Sequence, residues 1–139
     1  MATPHESAQS LMRLYDLRRE SKMREARHWY IRSFNPASLD DMAEVMQTDE
    51  YTYVRMVVGY WDMAASFVVH DAIDAAMFRE VSGEMLAVYS KVAHMIEDVR
   101  ERFGQPTLFR NVQVVAEEWP GADERMAGMR EYFARLAQS

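Results

Sequence analysis

The sequence has no cysteine, which excludes disulfide bonds, thiolate zinc sites and cysteine nucleophiles. Glycine and proline are also scarce, with 5 and 4 among 139 residues, and this is too little turn chemistry for a protein of many β-strands. No apolar stretch is long enough to span a bilayer, and residues 1–10 lack the apolar segment of a secretory signal. We therefore expect a cytoplasmic protein that does not enter a membrane.

The residues that are present have a globular composition, with 49% hydrophobic and 27% charged side chains. A chain of this length suits a single domain over residues 1–139. Twelve methionines indicate an adaptable core. The net charge of −6 argues against binding to nucleic acid, because such proteins are normally basic.

Apolar residues recur at helical spacing in six segments, separated by turn residues. The fold class we predict is all-α, a compact bundle of five to six mostly antiparallel helices with a buried central helix. The segments begin near residues 6, 38, 49, 78, 106 and 123. The third, residues 49–70, is apolar around most of its circumference and is predicted to be the central helix. The fourth is predicted to run unbroken from residue 78 to its end at Gly104.

The central helix carries one narrow polar row with spacings of three, four and seven residues. Within it, Arg55, Gly59, Asp62 and Ser66 are candidate ligand-binding residues, with Asp62 as an anchor or base paired to Arg55 or to a basic residue of the first helix. Gly59 would allow a ligand or backbone to approach closely. The alternative is that the row is the solvent-exposed edge of an otherwise buried helix. The whole row is Thr52, Arg55, Gly59, Asp62, Ser66 and His70.

The first predicted helix, residues 6–34, places basic residues on the arc of its apolar stripe. Tyr15, Arg19 and Lys22 could therefore form an anion pocket for a carboxylate or a phosphate. Two alternatives remain: the basic heads reach solvent along the bundle edge, or they pair with a carboxylate from the central helix.

A second apolar face of the central helix is rich in methionine and aromatic residues, which are favoured at interfaces. It predicts a two-fold symmetric homodimer, because that is the commonest closed assembly. The alternative is that other helices of the same chain cover this face. The candidate interface residues are Tyr53, Met56, Tyr60, Met63 and Phe67.

Catalytic signatures are missing from the sequence, which has no Gly-rich phosphate loop and no nucleophile elbow. A Glu-x-x-His motif occurs once, at Glu25 and His28, whereas di-iron bundles use it twice. We therefore expect no catalytic residues, no metal and no cofactor. The predicted function is a non-catalytic interaction or small-ligand-binding module with a small anionic ligand. The alternative is a small enzyme or anion sensor that uses the polar row together with the basic residues of the first helix.

The region from about residue 54 to 119 resembles a family of uncharacterised bacterial helical proteins, a domain of unknown function. The resemblance rests on Trp61 in an apolar helix, Ile73-Asp74, Phe78, residues 92–100 and the segment 104–109. It implies an all-α fold, and it brings no assigned activity and no functional residues. Some members of that family carry membrane helices before the domain, and from this sequence we expect none.

Overall fold

The computed structural model of the protein describes residues 1–138, which contain nine α-helices, one 3₁₀ turn and no strand. The all-α prediction is confirmed, and the predicted count of five to six helices is too low. The helices are α1 (Pro4–Arg19), α2 (Ser21–Ser33), α3 (Leu39–Val45), α4 (Tyr51–Val69), α5 (Ala75–Val81), α6 (Gly83–Ser90), α7 (Ile96–Arg102), α8 (Arg110–Glu117) and α9 (Ala122–Ala137), with the 3₁₀ turn at Ala93–Met95.

The first predicted helix is two helices, because the chain leaves helical geometry at Glu20 (φ −57°, ψ 141°). The carboxylate of Glu20 accepts hydrogen bonds from the backbone N–H groups of Lys22 and Met23, at 3.0 and 2.9 Å. Glu20 is therefore the N-cap of α2 and satisfies donors that a helix start leaves without intrahelical partners. The break falls within the polar residues 18–22, and the apolar residues before and after it had been assigned to one helical stripe, so a single helix was predicted.

The fourth predicted helix is also interrupted, at Ser82 and again at residues 91–95, which separate α5, α6 and α7. At the first break, a Cβ built on Gly83 would lie 3.0 Å from Nη2 of Arg125, the end of a flexible and exposed side chain on α9. The predicted end of the segment is confirmed, since Gly104 follows α7 with a φ of +62°.

Helix α4 is the centre of the bundle and packs against α2, α6 and α8. Its inward face is fully buried, with Val57, Trp61, Ala64 and Ala65 at most 1% exposed. The opposite edge, through Thr52, Arg55, Gly59 and Met63, is exposed. Among residues 1–138 no helix combines the length and the apolar character needed to cross a bilayer.

Two buried tyrosines connect helices that are distant in sequence. The hydroxyl of Tyr30 on α2 donates to the carbonyl of Val88 on α6 at 2.8 Å. The hydroxyl of Tyr60 on α4 donates to the carbonyl of Leu14 on α1 at 2.6 Å. Burial raises the pKa of both, for Tyr60 to about 12, so both hydroxyls stay protonated as donors across the neutral pH range.

Candidate functional site

A cavity of about 290 Å³ lies among α2, α3, α4 and the segment between α7 and α8. Its volume is at the lower end of the usual range for ligand pockets, roughly 300–1,000 Å³. Most of its lining is apolar, and the polar lining atoms belong to a few side chains and to backbone. The lining residues are Tyr30, Phe34, Met42, Tyr51, Val54, Arg55, Val58, Gly59, Val92, Gln105, Leu108 and Phe109.

The regular spacing of α4 supplies one wall of this cavity. Tyr51, Arg55 and Gly59 follow each other at four-residue intervals and therefore lie on one side of the helix. Arg55 and Gly59 are exposed, whereas Phe34 and Phe109 are buried. The mouth of the cavity is consequently on the α4 edge, and its floor is formed by the aromatic side chains.

Arg55 has no carboxylate within ion-pair distance among residues 1–138, and no other polar contact or ring contact to it occurs there. The other polar groups of the rim are engaged with each other, since Gln105 Nε2 donates to the Tyr51 hydroxyl at 3.4 Å. Tyr30 directs its hydroxyl to Val88. Arg55 is thus the cation of the cavity that has no partner.

Gly59 leaves open space at the mouth. A Cβ built on it meets no atom within 4 Å. No backbone of the described residues approaches Gly59 closely, and its role in letting a ligand approach stays a prediction.

Asp62 does not pair with Arg55 or with a basic residue of α1 or α2, and this prediction is wrong. Its Oδ1 accepts from the backbone N–H groups of Asn111 and Val112 at 2.9 and 3.0 Å, and its Oδ2 accepts from Asn111 Nδ2 at 3.1 Å. These donors lie in the first turn of α8, whose preceding residue Phe109 makes no side-chain cap. Asp62 therefore serves as a helix cap supplied from another helix.

Ser66 is engaged with its own helix, because its hydroxyl donates to the carbonyl of Met63 at 2.6 Å. Neither Ser66 nor Asp62 lines the cavity. Of the predicted polar row, the cavity therefore brings together Arg55 and Gly59 alone.

Tyr15, Arg19 and Lys22 do not converge on a pocket, because the helix break at Glu20 places Lys22 on α2 and the other two on α1. All three are exposed. The Arg19 guanidinium lies 5.5 Å from the centre of the Tyr15 ring, and Lys22 Nζ pairs with Glu25 at 3.1 Å. The predicted anion pocket of the first helix is therefore not formed, and these three side chains lie at a solvent-exposed edge of the bundle.

The predicted interface face is divided by the fold. Tyr60 is buried and bonded to Leu14, so it belongs to the core of the chain. Tyr53 is half-buried beside Trp29, with ring centres 6.1 Å apart, and Met56 is half-buried against the core. Met63 and Phe67 remain 39% and 37% exposed. The homodimer stays a prediction that would rest on these last two residues.

Several residues around the cavity were missed because they come from α2, α3 and the loop before α8. Phe34, Met42, Gln105 and Leu108 carry no shared spacing in the sequence. Lys91 was missed too, although a lysine within the apolar segment 85–96 is a signal of an unusual site. Among residues 1–138 no cluster of three or more His, Asp or Glu could hold a metal ion.

The comparisons with known proteins identify a family and nothing beyond it. No curated protein and no solved structure matches the chain. A family with the description domain of unknown function, DUF4760, matches residues 4–119, which include the cavity, the Asp62 cap and all helices except α9. The chain belongs to this DUF4760 family.

Proposed function

We propose that the protein is a non-catalytic ligand-binding module whose cavity takes a small amphipathic molecule with an apolar body and an anionic head group. The observation that carries this proposal is the unpaired guanidinium of Arg55 at the mouth of an apolar cavity.

The apolar body is favoured by the cavity floor. Phe34, Met42, Val54 and Phe109 are buried side chains that face this space. Each methylene that a ligand transfers from water into such surroundings contributes about 0.8 kcal/mol. A chain of several methylenes would therefore bind through the floor even without a strong polar contact.

The anionic head is favoured by Arg55. A guanidinium presents two parallel N–H groups that match the two oxygens of a carboxylate, and charge-assisted bonds of this kind are about twice as strong as neutral ones. A ligand whose tail fills the cavity would leave its head at the mouth, beside Arg55 and the open space over Gly59.

The lining favours binding over catalysis. It contains no Asp, Glu, His, Lys or Ser, and the hydroxyls of its two tyrosines, Tyr30 and Tyr51, are hydrogen-bonded to Val88 and Gln105. The alternative of an enzyme or anion sensor has less support, because the oxygens of Asp62 are used at α8.

Titration with octanoate, followed by NMR of ¹³C-methyl methionine, tests the proposal because Met42 lies in the cavity wall. We expect a saturable shift of the Met42 signal, loss of binding in Gly59→Leu, and about tenfold weaker binding in Arg55→Gln, equivalent to about 1.4 kcal/mol. The neutral analogue 1-octanol should bind Arg55→Gln and the native protein equally.

Arg13→Gln is the matched control, since Arg13 is an exposed arginine on α1 outside the cavity. It should bind octanoate like the native protein. Unchanged octanoate affinity in Gly59→Leu, or an equal loss in Arg13→Gln and Arg55→Gln, would overturn the proposal.

A further inference from the structure

A second concave site lies on the other side of the α2 terminus, between the segment after α6 and helix α9. This groove has a volume of about 410 Å³ and shares no lining residue with the cavity at Arg55. Its titratable lining residues are Lys91, His94 and Arg130, and no Asp or Glu lines it. The groove is therefore positive, although the chain as a whole carries a net charge of −6.

Lys91 is the unusual member, because it is only 5% exposed and has no carboxylate partner. Its Nζ donates to the carbonyl of Ile31 at 2.6 Å and to Oδ1 of Asn35 at 2.8 Å, which are both neutral acceptors. Buried charges in proteins are normally paired with an opposite charge. Here the positive charge is solvated by dipoles and remains without a counter-ion.

An ammonium has three N–H donors, and two of them are used by Ile31 and Asn35. The third has no oxygen acceptor in the described part of the chain. Nζ lies 4.2 Å from the centre of the Phe133 ring on α9, a contact that favours the charged form. Burial acts in the opposite direction and lowers the pKa of Lys91 to about 8.

Arg130 supplies the second positive charge of the lining, and His94 adds an imidazole ring. Both are exposed, and neither has a hydrogen-bond, ion-pair or ring partner within residues 1–138. Tyr30 is the further titratable group near Lys91, with its ring centre 5.9 Å from Nζ and its hydroxyl turned to Val88. No group around Lys91 therefore offers it a negative charge.

We propose that this groove is a second ligand site, specific for a small organic phosphate monoester. The two positive charges of Lys91 and Arg130 match the charge of about −1.5 to −2 that a phosphate monoester carries at pH 7. The paired N–H groups of the Arg130 guanidinium match two phosphate oxygens, and the His94 imidazole adds an N–H donor. The apolar part of the ligand lies against Pro36, Phe133 and Ala134.

The chain offers a direct test because Lys91 and Lys22 are its two lysines. Protein labelled with ¹³C-lysine gives separate Hε–Cε signals for both, and their pH titrations report each pKa. Phenyl phosphate, at constant ionic strength, should raise the pKa of Lys91 by about one unit. Such a shift means that the ligand binds about tenfold more tightly when the Lys91 amine is protonated. Lys22 is exposed and serves as the internal control.

Two variants on the same helix locate the site. Arg130→Gln should reduce the affinity for phenyl phosphate about tenfold and abolish most of the Lys91 shift, whereas Arg135→Gln, an exposed arginine of α9 outside the groove, should leave both unchanged. Benzoate, with one negative charge, should shift Lys91 by less than a third as much. An equal response to benzoate, no response to phenyl phosphate, or a response that survives in Arg130→Gln would overturn the proposal.

Discussion

Asp62 on α4 accepts the backbone N–H of Asn111 on α8 at 2.9 Å, and its second oxygen accepts the Asn111 side-chain amide at 3.1 Å. The residue before α8, Phe109, has a φ of +57° and no side-chain bond to the helix start. A carboxylate from another helix therefore accepts the hydrogen bonds from the start of α8 that a local N-cap side chain usually accepts. Its negative charge is also favourable at the positive end of the α8 dipole.

Removal of this cap should destabilise the protein without disturbing a cation. We expect Asp62→Ala to lower the free energy of unfolding by about 2 kcal/mol, at the upper end of measured N-cap effects. Asp62→Asn should cost less, because its amide oxygen in the place of Oδ1 still accepts the backbone N–H groups of Asn111 and Val112. Urea denaturation measures both, and Asp16→Ala, an exposed acid of α1, should change stability by less than about 0.5 kcal/mol. Equal losses in Asp62→Ala and Asp16→Ala would contradict the capping role.

Arg27 and Glu84 form a bidentate pair between α2 and α6, with N–O distances of 2.9 and 3.0 Å. Their side chains are 25% and 23% exposed, whereas those of the neighbouring pair Lys22 and Glu25 are 69% and 52% exposed. A double-mutant cycle should give a coupling of about 1–2 kcal/mol for Arg27–Glu84 and below about 0.5 kcal/mol for Lys22–Glu25. If the two couplings are equal, partial burial does not strengthen the first pair.

Stability should rise with pH above pH 8 because of Lys91. The folded protein holds this amine with a pKa of about 8, against an ordinary value of 10.5, so the unfolded chain binds more protons between these values. The unfolding free energy then increases with pH, by up to about 1.4 kcal/mol per pH unit. Above about pH 10 the buried Tyr30 and Tyr60, whose pKa values are raised, act in the opposite direction.

Urea denaturation between pH 7.5 and 9.5 measures this slope. Lys91→Met should remove it, while Lys22→Met, at an exposed lysine, should preserve it. A slope of the same size in Lys91→Met would assign the effect to other groups.

Gly59 and Gly104 should respond oppositely to alanine. Gly59 lies inside α4 with no atom within 4 Å of a built Cβ, so Gly59→Ala should stabilise by about 0.5–1 kcal/mol through helix propensity. Gly104 has a φ of +62°, which favours glycine, and Gly104→Ala should destabilise by about 1 kcal/mol. Thermal unfolding measures both, and a loss of stability in Gly59→Ala would mean that the edge of α4 is more crowded than its geometry indicates.

The homodimer is tested best at Met63, because it is exposed and its change to a charged residue leaves the core intact. If the exposed edge of α4 is the contact, light scattering of the native protein gives twice the chain mass of 16.2 kDa, and Met63→Lys gives one chain mass with unchanged helicity. Glu44→Lys, at an exposed residue of α3, is the control and should leave the mass unchanged. A native mass of one chain that persists on tenfold concentration would reject the dimer.

Local signals in the sequence predicted much of the secondary structure. The second segment was predicted to begin near residue 38, and Ser38 is the N-cap of α3, since its hydroxyl oxygen accepts the N–H of Asp41 at 3.1 Å. The predicted end at Gly104 and the central place of α4 agree as well. Three breaks were missed, at Glu20, at Ser82 and at residues 91–95. At the first, the carboxylate of Glu20 offers the backbone N–H groups an alternative to helical hydrogen bonds, and apolar spacing does not record such a side-chain bond.

The candidate site was predictable only in part. Arg55 and Gly59 lie four residues apart on one helix, and helical geometry alone places them on the same edge. The cavity that they border also needs Phe34, Met42 and Leu108, which reach it from α2, α3 and the loop before α8. No spacing in the sequence relates residues on different elements.

The sequence by itself determined the helical class, the central place of α4 and several helix ends, because these follow from side-chain period and from residues that act within four positions of each other. Tertiary structure alone decided the partners of Asp62 and Lys91. Asp62 meets the start of α8, 49 residues further along the chain, and Lys91 meets the end of α2, 60 residues before it. A charge takes the partner that packing brings within about 3 Å, and helix packing is set by the whole core.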